Sequence, residues 1–295
     1  MSQRLRCVAP IGDKCGEAAT WSAAEQALYW CDVNRFLIHR LDAEQRVASW
    51  FFDEPVTALS LTEEPETWLV ALASRLILWR PADDSRREHG FRLAEHPTAR
   101  LNDGRTAPNG DFWIGSMANN VGPNGEPADE PFGHGVLRRL QPGGRVAEAK
   151  RGLGIANTVC WSPDRTTFYF GDSQQNVIWA YDYDAASGEI SGERPFFAGF
   201  ERGAPDGSSV DAQGRLWNCR FGGGCVVCVA PDGRIEQVLE MPTRNITTCA
   251  FGGPDLKTLF ITTAALATDA ADRLAGSLFA YEAEVPGLES FKAKL

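Results

Sequence analysis

The chain has 295 residues, of which 43% are hydrophobic, with a formal net charge of -10 and a pI near 5.0. That apolar content suffices for a sizeable core, and the acidic balance excludes the basic surface on which nucleic-acid backbones or anionic membranes are held. No apolar run reaches the roughly 18 residues of a membrane span and the N-terminal MSQRLRCVAPIGDKCGE lacks the apolar core of a secretory leader, so a soluble, cytoplasmic protein with a small neutral or cationic ligand is expected.

The first strand-like run, Arg4 to Val8, stands outside the rhythm that follows and is suited to pair with strands near the C-terminus, removing an exposed sheet edge. Next, GEAATWSAAEQALYWCDV passes through a turn at Ser22 to an aromatic anchor at Tyr29, and FLIHRLDAEQ continues into another apolar strand and a charged turn. The same succession recurs with anchors at Trp68, Trp113, Tyr169 and Trp217, and with Phe260 similarly placed. The strands after them include RLILWRPADD, GVLRRLQPGG, VIWAYDYDAASG, CVVCVAPDG and SLFAYEAEVPG. Their mean spacing of about 46 residues is that of a four-stranded propeller blade. Period-two alternation broken by Pro, Gly, Asp and Asn, with almost no helical periodicity, predicts short antiparallel strands. Six such units fit the length. The expected fold is therefore all-β, one six-bladed β-propeller domain of four-stranded antiparallel blades over residues 1–295, ahead of five blades or a pair of sandwiches. The stretch NNVGPNGEPADEPFGHG, Asn119 to Gly135, interrupts the rhythm and is expected to be a long surface loop at the mouth of any central pocket.

One station within the rhythm is selectively polar. Glu17, Asn102, Asn157 and Asp206 each lie five positions before the turns that begin at Ser22, Ala107, Ser162 and Asp211. On equivalent strands in a ring, equal offset and parity bring side chains to one height facing one axis. The stations of the other two repeats, near Val56 and at Thr248, carry no charge. A single Asn or Asp at a strand start ordinarily caps a turn; recurrence in four repeats points instead to an oxygen-lined pocket. Two carboxylates and two amides converging there call for a cation, because the charges repel and lose solvation. Hard oxygen donors suit Ca²⁺, Mg²⁺ or Mn²⁺, and Fe²⁺ or Zn²⁺ less characteristically. With three or four protein ligands, coordination positions stay open for chemistry.

Other motifs carry less. The eight cysteines are dispersed in apolar runs and are expected to be reduced and buried. Cys225 and Cys228 have CxxC spacing, but on a strand positions three apart face opposite sides, which argues against zinc or redox use. GLGIAN, Gly152 to Asn157, lacks the third glycine and the helix of a dinucleotide fingerprint. Neither GxSxG nor HExxH occurs, and His134 is isolated between glycines in the long loop.

GEAATWSAAEQALYWCDV, RLNDGRTAPNGDFWIGSM, GIANTVCWSPDRTTFYFGDS, APDGSSVDAQGRLW and FGGPDLKTLFITTA together resemble, in order and over almost the whole chain, the gluconolactonase, regucalcin (SMP-30) and sugar-lactonase family. The resemblance implies a six-bladed propeller with one divalent metal at the top of the central channel, held by Glu17, Asn157 and Asp206. It places Arg100 and Asn102 in substrate-contacting positions, with Asp103 beside them. The implied activity is opening of a sugar lactone, an aldonolactone such as a glucono-, xylono- or arabinono-lactone, with Asp206 the first candidate for general base and Asp103 its rival. Arg100 would hold ring or carbonyl oxygens through paired N–H donors, its ordinary alternative being a surface ion pair, and Asn102 would bond sugar hydroxyls. Three departures stand out: Ala18-Ala19 replaces the usual Gly-Pro, Ala107 stands where an acid commonly precedes Pro, and Asn120 lies near where some members place a substrate-facing carboxylate. Metal binding is expected to survive these changes and substrate choice to shift. The alternatives are esterase or organophosphate hydrolysis on the same scaffold and a non-catalytic Ca²⁺-binding or interaction propeller, since fold alone does not fix function.

Overall fold

Residues 4–295 are described by a computed structural model with 24 strands in six four-stranded antiparallel sheets and no α-helix among the described residues. Five sheets, numbered as blades 1 to 5 from residue 16 onward, take their strands in chain order, and the sixth is blade 6. The sixth joins Asn245–Gly252, Thr258–Ala264 and Leu278–Glu282 to the N-terminal strand Leu5–Ala9, with Leu5 opposite Tyr281 and Cys7 opposite Phe279. The N-terminal run thus becomes the outer edge of the last blade, as its isolation from the repeat suggested.

The sheets form a closed ring because every blade buries both faces. Six hydrophobic clusters occur, one between each pair of neighbouring blades. Tyr29 and Trp68 join blades 1 and 2, Leu69 and Phe112 join 2 and 3, and Trp113 and Phe168 join 3 and 4. Tyr169 and Val227 join blades 4 and 5, Trp217 and Phe251 join 5 and 6, and Phe260 and Trp30 return the ring to blade 1. Middle strands such as Ala27–Asp32 and Phe112–Ala118 are consequently buried throughout, whereas the outer strand Val47–Phe51 is largely exposed. Burial on both faces makes the middle strands read as continuous apolar runs rather than strict alternation. All eight cysteines are free; Cys225 packs between blades 4 and 5 and Cys228 between 5 and 6, on opposite faces of one strand.

The inner strands Gly16–Ser22, Val56–Leu61, Ala99–Thr106, Ala156–Trp161, Ala204–Val210 and Asn245–Gly252 line the axis, and each slips register against its neighbour near the polar station. A bulge of this kind re-aims side chains and raises local twist. In blades 1 and 4 the residue just after the station, Ala18 or Thr158, takes a left-handed backbone at φ 57° and 54°. Non-glycine residues rarely adopt that region, and such strain collects where a side chain must be presented in one direction. The sixth inner strand runs into a turn closed by Leu256 N–H donating to Gly253 O, as equivalent bonds to Ala107 O, Ser162 O and Asp211 O close the turns of three other blades, so the uncharged station five positions earlier is Thr248.

Candidate functional site

A cavity of about 240 Å³ opens at one end of the axis, and Glu17, Asn157, Asp206, Arg100, Asn102 and Asn120 all form part of its wall. Asp206, Asn157 and Arg100 are buried, while Glu17 and Asn102 keep partial exposure. Asp103 is not on this wall. It lies with Asn102 in the bulge between Leu101 and Gly104, and its Oδ2 accepts from the backbone N–H of Val159 at 3.3 Å. Further down the channel a smaller cavity of about 70 Å³, bounded by Arg105, Ser60 and Thr106 and by residues 288–291 of the C-terminal segment, has room for only a few waters.

The loop from 119 to 134 lies over the upper cavity and contributes Asn120, Pro127 and Glu130 to it. It is tied to both sides of the mouth. Asn34 Nδ2 of blade 1 donates to Gly125 O at 3.1 Å, and Gln174 Nε2 of blade 4 donates to Glu130 O at 2.7 Å.

A directed chain of hydrogen bonds crosses the site. Arg100 donates from Nε to Asn120 Oδ1 (2.9 Å) and from Nη1 to Asn102 Oδ1 (2.7 Å) and Leu101 O (2.9 Å). Asn102 Nδ2 donates to Asn157 Oδ1 (3.0 Å) and to Ala156 O (2.9 Å). Asn157 Nδ2 donates to Ser173 Oγ (2.8 Å), which donates to Pro205 O (2.6 Å). A guanidinium only donates and a carbonyl only accepts, so both ends fix the orientation of every amide between them. Asn102 therefore has both N–H groups committed and is an organiser of its neighbours rather than a free donor for sugar hydroxyls. Arg100 is no surface ion pair: it is buried among neutral acceptors, and burial lowers its pKa.

Three acids crowd this end of the channel. Burial, then the charge of Asp103, pushes Glu17 up to about 8. Burial, then Glu17 and Asp103, drives Asp206 well above the carboxylate range, and burial raises Asp103 against the pull of Arg105. Neither Glu17 nor Asp206 has a salt-bridge partner among the described residues. The donor set fits a hard cation: two carboxylates whose ionisation the fold otherwise opposes, beside an amide oxygen held in place. No group of three His, Cys, Asp or Glu side chains suited to a metal occurs among the described residues.

Residues on the adjacent strands hold these side chains in place. Asp32 accepts from the N–H of Lys14 (2.8 Å) and Cys15 (3.2 Å), just ahead of Glu17. Asp172 accepts from Gly154 (2.8 Å) and Ile155 (3.2 Å), just ahead of Asn157, in the same geometry. In blade 5 the equivalent residue is Arg220, which reverses the polarity and donates to the carbonyls of Phe200 (2.9 Å), Arg202 (3.1 Å) and Gly203 (2.5 Å) ahead of Asp206. Each sits three positions after its anchor, in YWCD, YFGD and WNCR. That repeat was visible in the sequence, and it identifies the supports that orient the site.

Residues 15–265 match the SMP-30/Gluconolactonase/LRE-like region family. The chain is 35% identical to the 6-deoxy-6-sulfogluconolactonase of Pseudomonas putida, with 97% of each protein covered. It is 34% identical to the pentonolactonase XacC of Haloferax volcanii, over 85% of this chain and 82% of the relative. A solved structure of the calcium-binding protein regucalcin from Agrobacterium tumefaciens superposes with a TM-score of 0.90 at 29% identity, over 98% of this chain and 97% of that one. With its blade order, its oxygen-lined cavity and these matches, the chain belongs to the SMP-30/gluconolactonase/LRE-like family.

Proposed function

We propose that this protein is a metal-dependent hydrolase that opens sugar lactones to aldonic acids. The observation that carries this reading is the convergence of Glu17, Asp206 and the Asn157 amide, with neither acid in a salt bridge among the described residues, on a cavity whose wall also presents a buried arginine. The lactonase relatives and the calcium-binding regucalcin support it.

Glu17, Asn157 and Asp206 would hold the ion, with Ca²⁺, Mg²⁺, Mn²⁺, Zn²⁺ and Fe²⁺ the candidates. When bound, a divalent cation supplies Lewis acidity that polarises the lactone carbonyl and stabilises developing oxyanion charge. Asp206, on the cavity wall, is the general base that takes a proton from the attacking water; Asp103, off that wall, tunes it through charge. As the ring C–O bond breaks, the departing oxygen recovers a proton and the hydroxy acid is released. Arg100 has no protein acceptor for Nη2 among its hydrogen bonds, so that group is available to a substrate oxygen while Nε and Nη1 hold the guanidinium in place. Asn120 and Asn102 fix Arg100 from two sides.

A pH-indicator assay over fresh glucono-, xylono- and arabinono-lactones, corrected for spontaneous hydrolysis, tests the reading. Acid release that chelation abolishes and Asp206→Ala removes from a folded protein supports it. Absence of turnover across the panel, with or without added metals, would leave the non-catalytic cation-binding propeller in its place.

A further inference from the structure

Among the charged groups at the mouth, Glu130 is a fourth acid at this end of the channel and sits on the loop rather than on a blade. Its Oε2 accepts from Asn120 Nδ2 at 2.9 Å, and Asn120 Oδ1 in turn accepts from Arg100 Nε at 2.9 Å. The backbone carbonyl of Glu130 is pinned by Gln174, and the loop is held from the inside by Ala128 N–H donating to Asn120 O at 2.9 Å. Glu130 is exposed, lines the cavity, and has no ion-pair partner among the described residues, yet its charge reaches both Arg100 and Asp206. The wall of the cavity thus carries the acids Glu17, Asp206 and Glu130 against the single base Arg100. A divalent cation would offset the inner pair, and Arg100 Nη2 is taken by the substrate oxygen assigned to it above, so the loop side of the wall presents the Glu130 charge with no base beside it.

Building on the lactonase reading, we propose that Glu130 is a specificity-determining residue: it accepts hydroxyls at the exocyclic end of a neutral polyhydroxy lactone and disfavours lactones that carry an anionic substituent there. The preference follows from charge and hydrogen-bond sense. A carboxylate only accepts, which suits a sugar hydroxyl, and repels a sulfonate, phosphate or second carboxylate across the cavity. A like charge within one partly solvated cavity changes selectivity by roughly tenfold, less at high salt.

The test uses the metal-loaded, full-length protein and compares kcat/KM for glucono-1,5-lactone with that for the same lactone bearing a sulfonate at C6, at low and high ionic strength. The native protein is expected to favour the neutral lactone by about tenfold or more. Glu130→Gln keeps an acceptor for Asn120 and removes the charge; it should raise the sulfonated-to-neutral ratio by about five- to tenfold, mainly at low salt. Glu130→Ala, which also releases the loop contact, should lower turnover of both lactones in addition to shifting their ratio. Equal use of the two lactones by the native protein, or a ratio unchanged by Glu130→Gln, overturns the proposal while leaving the lactonase reading intact. Failure of the native protein to hydrolyse these two lactones overturns this proposal, and failure on the xylono- and arabinono-lactones as well overturns the lactonase reading with it.

Discussion

Glu17 provides a quantitative test of the crowded acid site. Its carboxyl is raised from the ordinary 4.5 to about 8, first by burial and then by Asp103. Between those pH values the metal-free folded protein holds this proton more tightly than the unfolded chain does. Its contribution to stability is therefore fully present below pH 4.5 and is lost as pH rises through about 8. At about 1.4 kcal/mol per pH unit, the whole displacement corresponds to roughly 5 kcal/mol. Glu17→Gln removes the titration, and the charge that helps raise Asp206 goes with it. Denaturant unfolding of both proteins in chelator, from about pH 5 to about pH 8.5, isolates the effect. The stability of the native protein relative to the variant should fall by about 2 to 5 kcal/mol across the window. Saturating divalent metal should reverse the trend, because the ion binds the ionised form and releases the proton. A difference that stays flat within about 0.5 kcal/mol would refute the reasoning, since the fold would then not oppose ionisation of Glu17.

The remaining expectations concern the supports and the core. Asp172→Asn keeps the side chain's shape but weakens its hold on Gly154 and Ile155; metal affinity by calorimetry should fall about tenfold or more, with the melting temperature far less affected. Asn102→Ala releases both Arg100 and Asn157, and should raise KM and weaken metal binding together, whereas a residue that only bonded substrate would change KM alone. Trp113→Ala opens a void between blades 3 and 4 and should cost about 3 to 5 kcal/mol in denaturant unfolding.

The blade count was legible because the aromatic anchors recur at blade spacing, and packing between blades demands a large apolar group at each. The polar stations were legible for a related reason: offset from a turn becomes height along a strand, so Glu17, Asn157 and Asp206 could be placed at one level before any pairing was known. What depends on pairing was not readable. The register slip beside each station, between Glu17 and Thr20 in the first blade and between Ile246 and Cys249 in the last, is set by how the two inner strands of a blade pair. Asp103 read as a rival base because it adjoins Asn102, whereas the bulge between Leu101 and Gly104 gives its carboxylate to the Val159 N–H and leaves it acting on Glu17 and Asp206 through charge. Asp32, Asp172 and Arg220 were missed although they repeat, since their polarity changes sign in blade 5 while their task, holding the loop ahead of a station, does not. The role of Glu130 had no repeat to calibrate it: a loop's residues acquire position only from what the loop is tied to, here Asn34 and Gln174.

The central claim, that one cation sits on the axis among three blades, is tested most directly by growing crystals with Mn²⁺ and calculating an anomalous difference map. The account predicts one strong peak in the upper cavity within coordination distance of a Glu17 carboxylate oxygen, Asn157 Oδ1 and an Asp206 carboxylate oxygen. A map with no peak there, or with Mn²⁺ bound elsewhere while these three side chains contact only protein and water, would contradict it.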